Sequence, residues 1–182
     1  MYYHFTFLAI ALALFGLGAS GVYVYVRSER FTPATLPDDL ARNARRFAAT
    51  TVLALIAGKS NPGSIMVNRQ GKRFANEAQP YEDLIKAQYA SDARGEGAIP
   101  CYLVFDATCR GKYAVGHLKP GKVEQDDRLD PANFASGLLA RADTLEELAD
   151  KLQIERGALL QTVANFNRHA RNGEDPEFGR GA

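Results

Sequence analysis

The sequence contains no tryptophan, only two cysteines and almost no net charge. Its 22 lysines and arginines are balanced by 21 aspartates and glutamates, so it lacks the basic excess that is typical of nucleic-acid-binding proteins. Cys101 and Cys109 form no Cys-x-x-Cys motif and have no histidine pair nearby, which argues against a disulfide framework and against a zinc site. We therefore expect two buried or half-buried thiols in a reducing compartment, and no bound metal.

The run from Phe5 to Val26 contains no charged residue. A helix of this length, rising about 1.5 Å per residue, would cross a hydrocarbon layer of about 30 Å. Five arginines follow between positions 27 and 46, and the positive-inside rule then places the residues after 26 on the cytoplasmic side. The run thus predicts a membrane anchor on a cytoplasmic protein. Two alternatives stay open. One is a buried segment of a larger domain, because the last third also suits a strand. The other is a signal peptide, although the start "MYYH" lacks the lysine or arginine that such a peptide carries.

The same run contains the pattern G-x-G-x-x-G from Gly16 to Gly21, which is the fingerprint of dinucleotide-binding loops. That fingerprint requires a helix directly after the glycines. Here the sequence continues with "VYVYV", whose β-branched and aromatic residues are weak helix formers. We interpret the glycines as small residues of an apolar segment rather than as a cofactor loop.

The chain divides into an apolar and arginine-rich region, residues 1–60, and an α+β unit, residues 61–182. The unit opens with "SIMVN" and "KRFAN", two strand-like runs around the turn "RQG", in which Gly71 supplies a positive φ angle. The apolar run "IPCYLVFD", residues 99–106, predicts a buried strand.

Three helices are predicted in the same unit. Pro80 precedes "YEDLIKAQYASDA", whose early acidic residues suit a helix N-terminus. Thr144 and Glu147 form a capping box at the start of "LEELADKLQ". The last helix covers about residues 155–172, with apolar residues along one face and a glycine directly after its end.

Three segments of this unit, taken in order, resemble one protein family. They are "PGSIMVNRQGKRFANEAQPY", "IPCYLVFD" and "LLARADTLEELADKLQIERGALLQTVANFNRHARNGEDPEFGRG", and the region they span is about two thirds of the chain. They are similar to the substrate, or capping, domain of the FAD-dependent oxidoreductases that include fumarate reductase, succinate dehydrogenase and the 3-ketosteroid dehydrogenases. The resemblance implies the α+β fold of that domain, which closes over the flavin of an FAD-binding domain.

The resemblance also implies a reaction and its residues. Soon after the Asn-Glu pair, fumarate reductases have an arginine for proton delivery and ketosteroid dehydrogenases have a tyrosine, which here is Tyr81. In the steroid-type reaction a hydride leaves a carbon next to a ketone for the flavin, while a base removes a proton from the adjacent carbon. Tyr81 would be that base. Arg73, Asn76 and Glu77 would lie near substrate or flavin, where they tie the hairpin to the flavin domain or orient Tyr81.

The chain departs from this family at both ends, because the flavin-binding region and the C-terminal return segment have no counterpart in it. We therefore expect a truncated fragment that does not bind FAD alone, that works with a flavin-domain partner chain, and that acts on a small apolar ketone or steroid-like substrate. The alternative is a non-catalytic, membrane-associated remnant or binding module without flavin. The sequence leaves the activity of the isolated chain open.

Overall fold

The fold is a mixed sheet with helices, seen in a computed structural model that describes residues 10–12, 22–25, 58–135 and 137–181. The strands are β1 (Ile10–Leu12), β2 (Val22–Tyr25), β3 (Ser64–Val67), β4 (Tyr102–Asp106) and β5 (Leu139–Ala142). Their order across the sheet is β3-β4-β1-β2-β5. The predicted mixture of helix and strand is confirmed. The sheet takes strands from both sides of the predicted boundary at residue 60, and that boundary stays a prediction.

Strands β3 and β4 form the part of the sheet that carries the predicted hairpin. They run antiparallel, with Ser64 opposite Phe105 and Val67 opposite Tyr102. Every residue of both strands is buried, as expected for continuous apolar runs that are covered on both faces. The predicted buried strand in residues 99–106 is therefore confirmed over Tyr102–Asp106, and β3 lies at one end of the sheet that the described strands form.

The second strand of the predicted hairpin is reduced to a single bridge between Val67 and Arg73. The backbone N–H of Met66 donates to Oε1 of Glu77 at 2.9 Å. A carboxylate thus takes the position that the backbone of a partner strand would occupy, which explains why "KRFAN" does not continue the ladder.

The described helices are α1 (Tyr81–Ala93), α2 (Ala107–Lys112), α3 (Ala132–Ala135), α4 (Leu145–Leu152) and α5 (Arg156–Ala170), with a 3₁₀ turn at Asp126–Arg128. All three predicted helices are present, as α1, α4 and α5. Helix α4 packs against both β5 and α5. Helix α5 is slightly shorter than predicted, because Glu155 is its N-cap and accepts the N–H groups of Gly157 and Ala158.

The capping box of α4 differs in one bond from its sequence prediction. Oγ1 of Thr144 accepts the N–H of Glu147 at 3.1 Å, as expected. The Glu147 carboxylate accepts the N–H of Asp143 at 3.2 Å, one residue before the cap. Both bonds still satisfy backbone donors near the helix start.

The two cysteines are free and buried, as predicted. The side-chain amide of Gln88 in α1 donates to the Ala98 carbonyl at 2.9 Å and to Sγ of Cys101 at 3.3 Å. Burial, together with the charge of Asp106, raises the pKa of the Cys109 thiol to about 12. Cys109 is therefore an unreactive part of the core.

Two stretches of the predicted membrane span are strands. Ile10–Leu12 pairs antiparallel with Val22–Tyr25, and β1 also lies parallel to β4. In the part of the chain that the structure describes, no helix combines the length and hydropathy needed to cross a membrane. The glycine pattern at 16–21 lies outside the described residues. The membrane anchor and the cytoplasmic location stay predictions.

The turn after β3 requires a glycine at position 71. Gly71 has a φ of 72°, which confirms the predicted positive angle, and its N–H donates to the Asn68 carbonyl at 2.9 Å. A Cβ at this position would lie 2.6 Å from the backbone nitrogen of Leu159 and 2.8 Å from the carbonyl oxygen of Glu155. The turn therefore touches the first turn of α5, with no space for a side chain.

Replacing Gly71 by alanine is expected to lower the free energy of unfolding by about 2–4 kcal/mol, from left-handed strain plus displacement of α5. Gly95→Ala is a matched control, because Gly95 also has a positive φ, 78°, but nothing lies within 4 Å of its Cβ position. This control should cost only about 1 kcal/mol. Denaturant unfolding of both variants measures the difference between their free energies of unfolding. Equal losses of stability would show that the contact with α5 does not stabilise the fold.

Candidate functional site

Arg73 and Glu77 form a buried ion pair beside β3. Their side chains are 1% and 0% exposed. Nε of Arg73 donates to Oε1 of Glu77 at 3.0 Å, and Nη2 donates to Oε2 at 2.8 Å. Two parallel bonds of this kind are the strongest arrangement of a guanidinium with a carboxylate. The pair therefore holds the two ends of the segment from 73 to 77 together.

A second carboxylate binds the same guanidinium. Nη1 and Nη2 of Arg73 donate to the two carboxylate oxygens of Asp175 at 2.8 and 2.9 Å. The ring centroids of Phe166 and Phe178 each lie 4.9 Å from Cζ of Arg73, within the range of cation–π attraction. Burial alone would lower the pKa of Arg73, but the bonds to Asp175 and Glu77 outweigh it and raise that pKa. Arg73 is therefore a permanent cation.

Arg180 joins these residues from the C-terminal segment. Its Nη1 donates to the carbonyl oxygen of Ser64, and its Nη2 donates to Oγ of Ser64 at 3.0 Å. Nη1 also lies 3.3 Å from Oε2 of Glu77. The backbone N–H of Arg180 donates to Asp175 at 3.1 Å. Arg73, Glu77, Asp175 and Arg180, which we call the arginine cluster, thus fasten the end of the described chain to β3.

Residues 76–80, which we call the strap, lead from the arginine cluster to α1. The amide nitrogen of Asn76 donates to the Phe178 carbonyl at 3.1 Å, and its amide oxygen accepts the N–H of Ala78 at 2.8 Å. The N–H of Gln79 donates to the Asn76 carbonyl at 3.2 Å. Asn76 therefore fixes the start of the strap through its side chain and its backbone.

Lys59 binds two further groups of the strap. Its Nζ donates to the carbonyl oxygens of Glu77 at 2.7 Å and of Gln79 at 2.5 Å. The residue is 4% exposed. Burial lowers the pKa of Lys59, the charge of Glu77 opposes this shift, and the charge of Arg180 adds to it. Sequence reasoning missed Lys59, although it is the single charged residue between positions 47 and 68.

Tyr81 follows the strap as the first residue of α1 and is 38% exposed. The carbonyl of Pro80, the N-cap, accepts the N–H groups of Asp83 and Leu84, both at 3.1 Å. No hydrogen-bond partner of the Tyr81 hydroxyl is found in residues 58–135 or 137–181. The phenol is therefore open to a ligand, while the backbone that carries it is held in place.

The structure brings the predicted site residues together in an unexpected way. Arg73, Asn76 and Glu77 were predicted to tie the hairpin to a flavin domain or to orient Tyr81. Within the described chain they bind the C-terminal segment 175–180 and begin the strap that ends at Tyr81. Sequence reasoning gave no role to the segment "DPEFGR", whose two acidic residues, phenylalanine and final arginine were the available signal.

A half-open cleft of about 320 Å³ lies beside the arginine cluster. The cleft is lined by α5, which includes His169, by Arg73 from the segment after β3, and by the C-terminal segment, which includes Glu177. Burial raises the pKa of the Glu177 carboxyl against the opposing charge of Arg73. Among the residues the structure describes, no group of metal-ligating side chains occurs. Tyr81 is not part of this lining, so the cleft is not the place where Tyr81 would meet a ligand.

Comparison with known proteins identifies the family of the chain. Residues 26–181 match the family described as "FAD binding domain". The 4-oxocyclohex-2-ene-1-carboxylate 5-dehydrogenase of Sinomonas cyclohexanicum is 36% identical over 155 residues, which are 80% of this chain and 25% of that protein. The 3-oxosteroid 1-dehydrogenase of Mycobacterium tuberculosis is 39% identical over 130 residues, which are 69% of this chain and 22% of that protein.

A solved structure agrees with these relatives. The crystal structure of 3-ketosteroid delta1-dehydrogenase from Sterolibacterium denitrificans, in complex with 1,4-androstadiene-3,17-dione, superposes with a TM-score of 0.60 at 35% identity. The match covers 68% of this chain and 22% of that one. The chain thus spans about a quarter of the length of these relatives. It belongs to the FAD-binding domain family and resembles, within that family, the oxidoreductases that include the 3-ketosteroid dehydrogenases.

Proposed function

We propose that this chain is the substrate-covering part of an FAD-dependent dehydrogenase of cyclic ketones, and that Tyr81 accepts the substrate proton. The observation that carries the proposal is the place of Tyr81. Its phenol is exposed, whereas the strap before it is fixed by Asn76 and Lys59. A base on a rigid support is what proton abstraction requires, because small displacements of a reacting group cost much of the rate.

The names of the relatives support a ring ketone as substrate. One relative is named for 3-oxosteroids and another for 4-oxocyclohex-2-ene-1-carboxylate, and both names describe a ketone on a six-membered carbon ring. A carbonyl acidifies the adjacent C–H bond, so that a general base can remove its proton. A free phenol titrates near pH 10. A tyrosine that acts as a base near neutrality therefore needs hydrogen-bond donors or cations beside its oxygen in the assembled enzyme.

The described residues do not fit FAD on their own. A flavin dinucleotide needs backbone N–H groups at a glycine-rich turn that opens a helix. The turn at Gly71 is filled by the backbone of α5, and the guanidinium groups of Arg73 and Arg180 are engaged by the chain itself. We therefore assign the hydride transfer that the resemblance implies to none of these residues. It belongs to a flavin-binding domain on the same chain or on a partner.

The proposal is tested by a hybrid enzyme. Residues 58–181, which include Lys59, would replace the matching segment of the Mycobacterium tuberculosis 3-oxosteroid 1-dehydrogenase. We expect the hybrid to hold FAD and to oxidise a 3-oxosteroid or 4-oxocyclohexanecarboxylate, whereas the full chain alone shows no stoichiometric flavin band in its visible spectrum. A hybrid that is saturated with FAD but oxidises neither ketone would contradict the proposal.

A further inference from the structure

We propose that Lys59 is a positioning residue for Tyr81, because it anchors the end of the strap from which the phenol projects. The inference rests on the proposed role of Tyr81 as proton acceptor. Lys59 itself does not touch the substrate in this proposal. It acts through the backbone carbonyls of Glu77 and Gln79.

The buried ammonium group of Lys59 holds two peptide groups of the strap in place. Removing an ammonium group from water is costly unless hydrogen bonds compensate. Here the compensation comes from two carbonyls of one short segment, at 2.7 and 2.5 Å. Hydrogen bonds from a charged donor are about twice as strong as neutral ones. The ammonium therefore holds these two peptide groups more firmly than a neutral side chain would.

The covalent path from this anchor to Tyr81 is short and stiff. Gln79, whose carbonyl binds Lys59, is followed by Pro80 and then by Tyr81. Pro80 has a φ of −52° and a ψ of 148°, and its ring prevents rotation about the φ bond. The Pro80 carbonyl is already bonded to Asp83 and Leu84 in the first turn of α1. Little rotational freedom remains between the anchored carbonyl and Tyr81, so Lys59 fixes the backbone position from which the phenol projects.

The role of Lys59 can be separated from general structural support by three variants. Lys59→Met removes the hydrogen-bond donors but keeps a side chain of similar length, and Lys59→Arg keeps both the charge and the donors. Lys86→Met is the matched control, because Lys86 lies on α1 with a side chain that is 73% exposed and pairs only loosely with Asp83 at 3.2 Å.

The first measurement uses the full chain labelled with ¹³Cζ-tyrosine, in which Tyr81→Phe assigns the Tyr81 signal. We expect Lys59→Met to shift or split this signal while the signal of Tyr102, in the core strand β4, stays in place. Lys59→Arg should restore the Tyr81 signal, and Lys86→Met should leave it unchanged. An unchanged Tyr81 signal in Lys59→Met would overturn the proposal, as would a common shift of both tyrosines. If Lys59→Met does not fold, Lys59→Gln takes its place in the same comparison.

The second measurement is the turnover of the hybrid enzyme after it has been loaded with FAD. Misplacement of a reacting group by about 1 Å can cost a hundredfold in rate, so we expect Lys59→Met to lower kcat at least about tenfold at unchanged KM, with recovery in Lys59→Arg. The two proposals fail differently. If Tyr81→Phe leaves turnover intact, the proposed function is wrong. If Tyr81→Phe stops turnover but Lys59→Met changes neither kcat nor the Tyr81 signal, the positioning role is wrong.

Discussion

Replacing Arg73 by methionine is expected to lower the free energy of unfolding by about 3–5 kcal/mol, because it leaves buried carboxylates without their cation. Glu77 is 0% and Asp175 is 5% exposed, and Arg73 gives each of them two hydrogen bonds. Arg180 lies 3.3 Å from Glu77, which is too weak a contact to replace both pairs. Urea or guanidinium unfolding of the purified chain measures the loss.

A surface arginine provides the control for this substitution. Arg94 pairs with Glu96 at the same distance of 2.8 Å, but its side chain is 57% exposed. Arg94→Met should therefore cost far less stability than Arg73→Met, because water screens an exposed ion pair. Arg73→Lys should fall between the two variants, since lysine keeps the charge and loses the bidentate geometry. Similar losses for Arg73→Met and Arg94→Met would show that the arginine cluster does not stabilise the fold.

The stability difference between wild type and Arg73→Met should also depend on pH. Burial alone would raise the pKa of Asp175, but the hydrogen bonds and charge of Arg73 outweigh it and hold that pKa below its ordinary value. A group with a depressed folded pKa stabilises the fold above its unfolded pKa, about 3.9 for aspartate, and this contribution is lost as the pH falls through the folded pKa. The stability difference between the two proteins should therefore begin to narrow below about pH 4 and keep narrowing until the pH passes the folded pKa of Asp175.

Replacing Tyr81 by phenylalanine is expected to lower turnover of the flavin-loaded enzyme by about 10²–10⁴-fold, the usual contribution of a general base. The change removes one oxygen from a phenol that is 38% exposed, so the stability of the chain should stay within about 0.5 kcal/mol of wild type. Steady-state kinetics on a ring ketone, with unfolding measured in parallel, checks both parts.

Tyr89→Phe is the matched control for Tyr81→Phe. Tyr89 lies on the same helix, two turns further along, and is 49% exposed. This variant should keep turnover within about a factor of two, because at 1.5 Å per residue it is about 12 Å from Tyr81 along the helix axis. Full turnover in Tyr81→Phe would place the proton acceptor elsewhere and leave the strap without a catalytic purpose.

The sequence was sufficient for elements whose signals are local. Helix α1 covers the predicted segment "YEDLIKAQYASDA", and the buried strand, the Gly71 turn and the cap at Thr144 lie where predicted. Each of these depends on neighbouring residues in the chain. Proline before a helix, glycine at a positive φ and a continuous apolar run act over a few positions.

The arginine cluster could not be predicted in the same way. Arg73 and Asp175 are 102 positions apart in the chain, and Arg180 reaches Ser64 over 116 positions. Their pairing depends on how α5 turns the chain back toward β3, which no local pattern encodes. Lys59 illustrates the same limit, because a lone lysine after an apolar run does not reveal which carbonyls it will bind.

The arginine cluster also has a consequence for solubility. Strand β3 lies at the end of the sheet, and an uncovered end strand offers free peptide groups to a second molecule, which is a common start of aggregation. In this chain Glu77 takes the outward N–H of Met66, and Arg180 takes the outward carbonyl of Ser64. A protease cut between α5 and Asp175 would separate Arg180, but not Glu77, from the chain that carries β3. Glu77 and Arg180 therefore occupy two peptide groups of β3 with which a second molecule could otherwise pair.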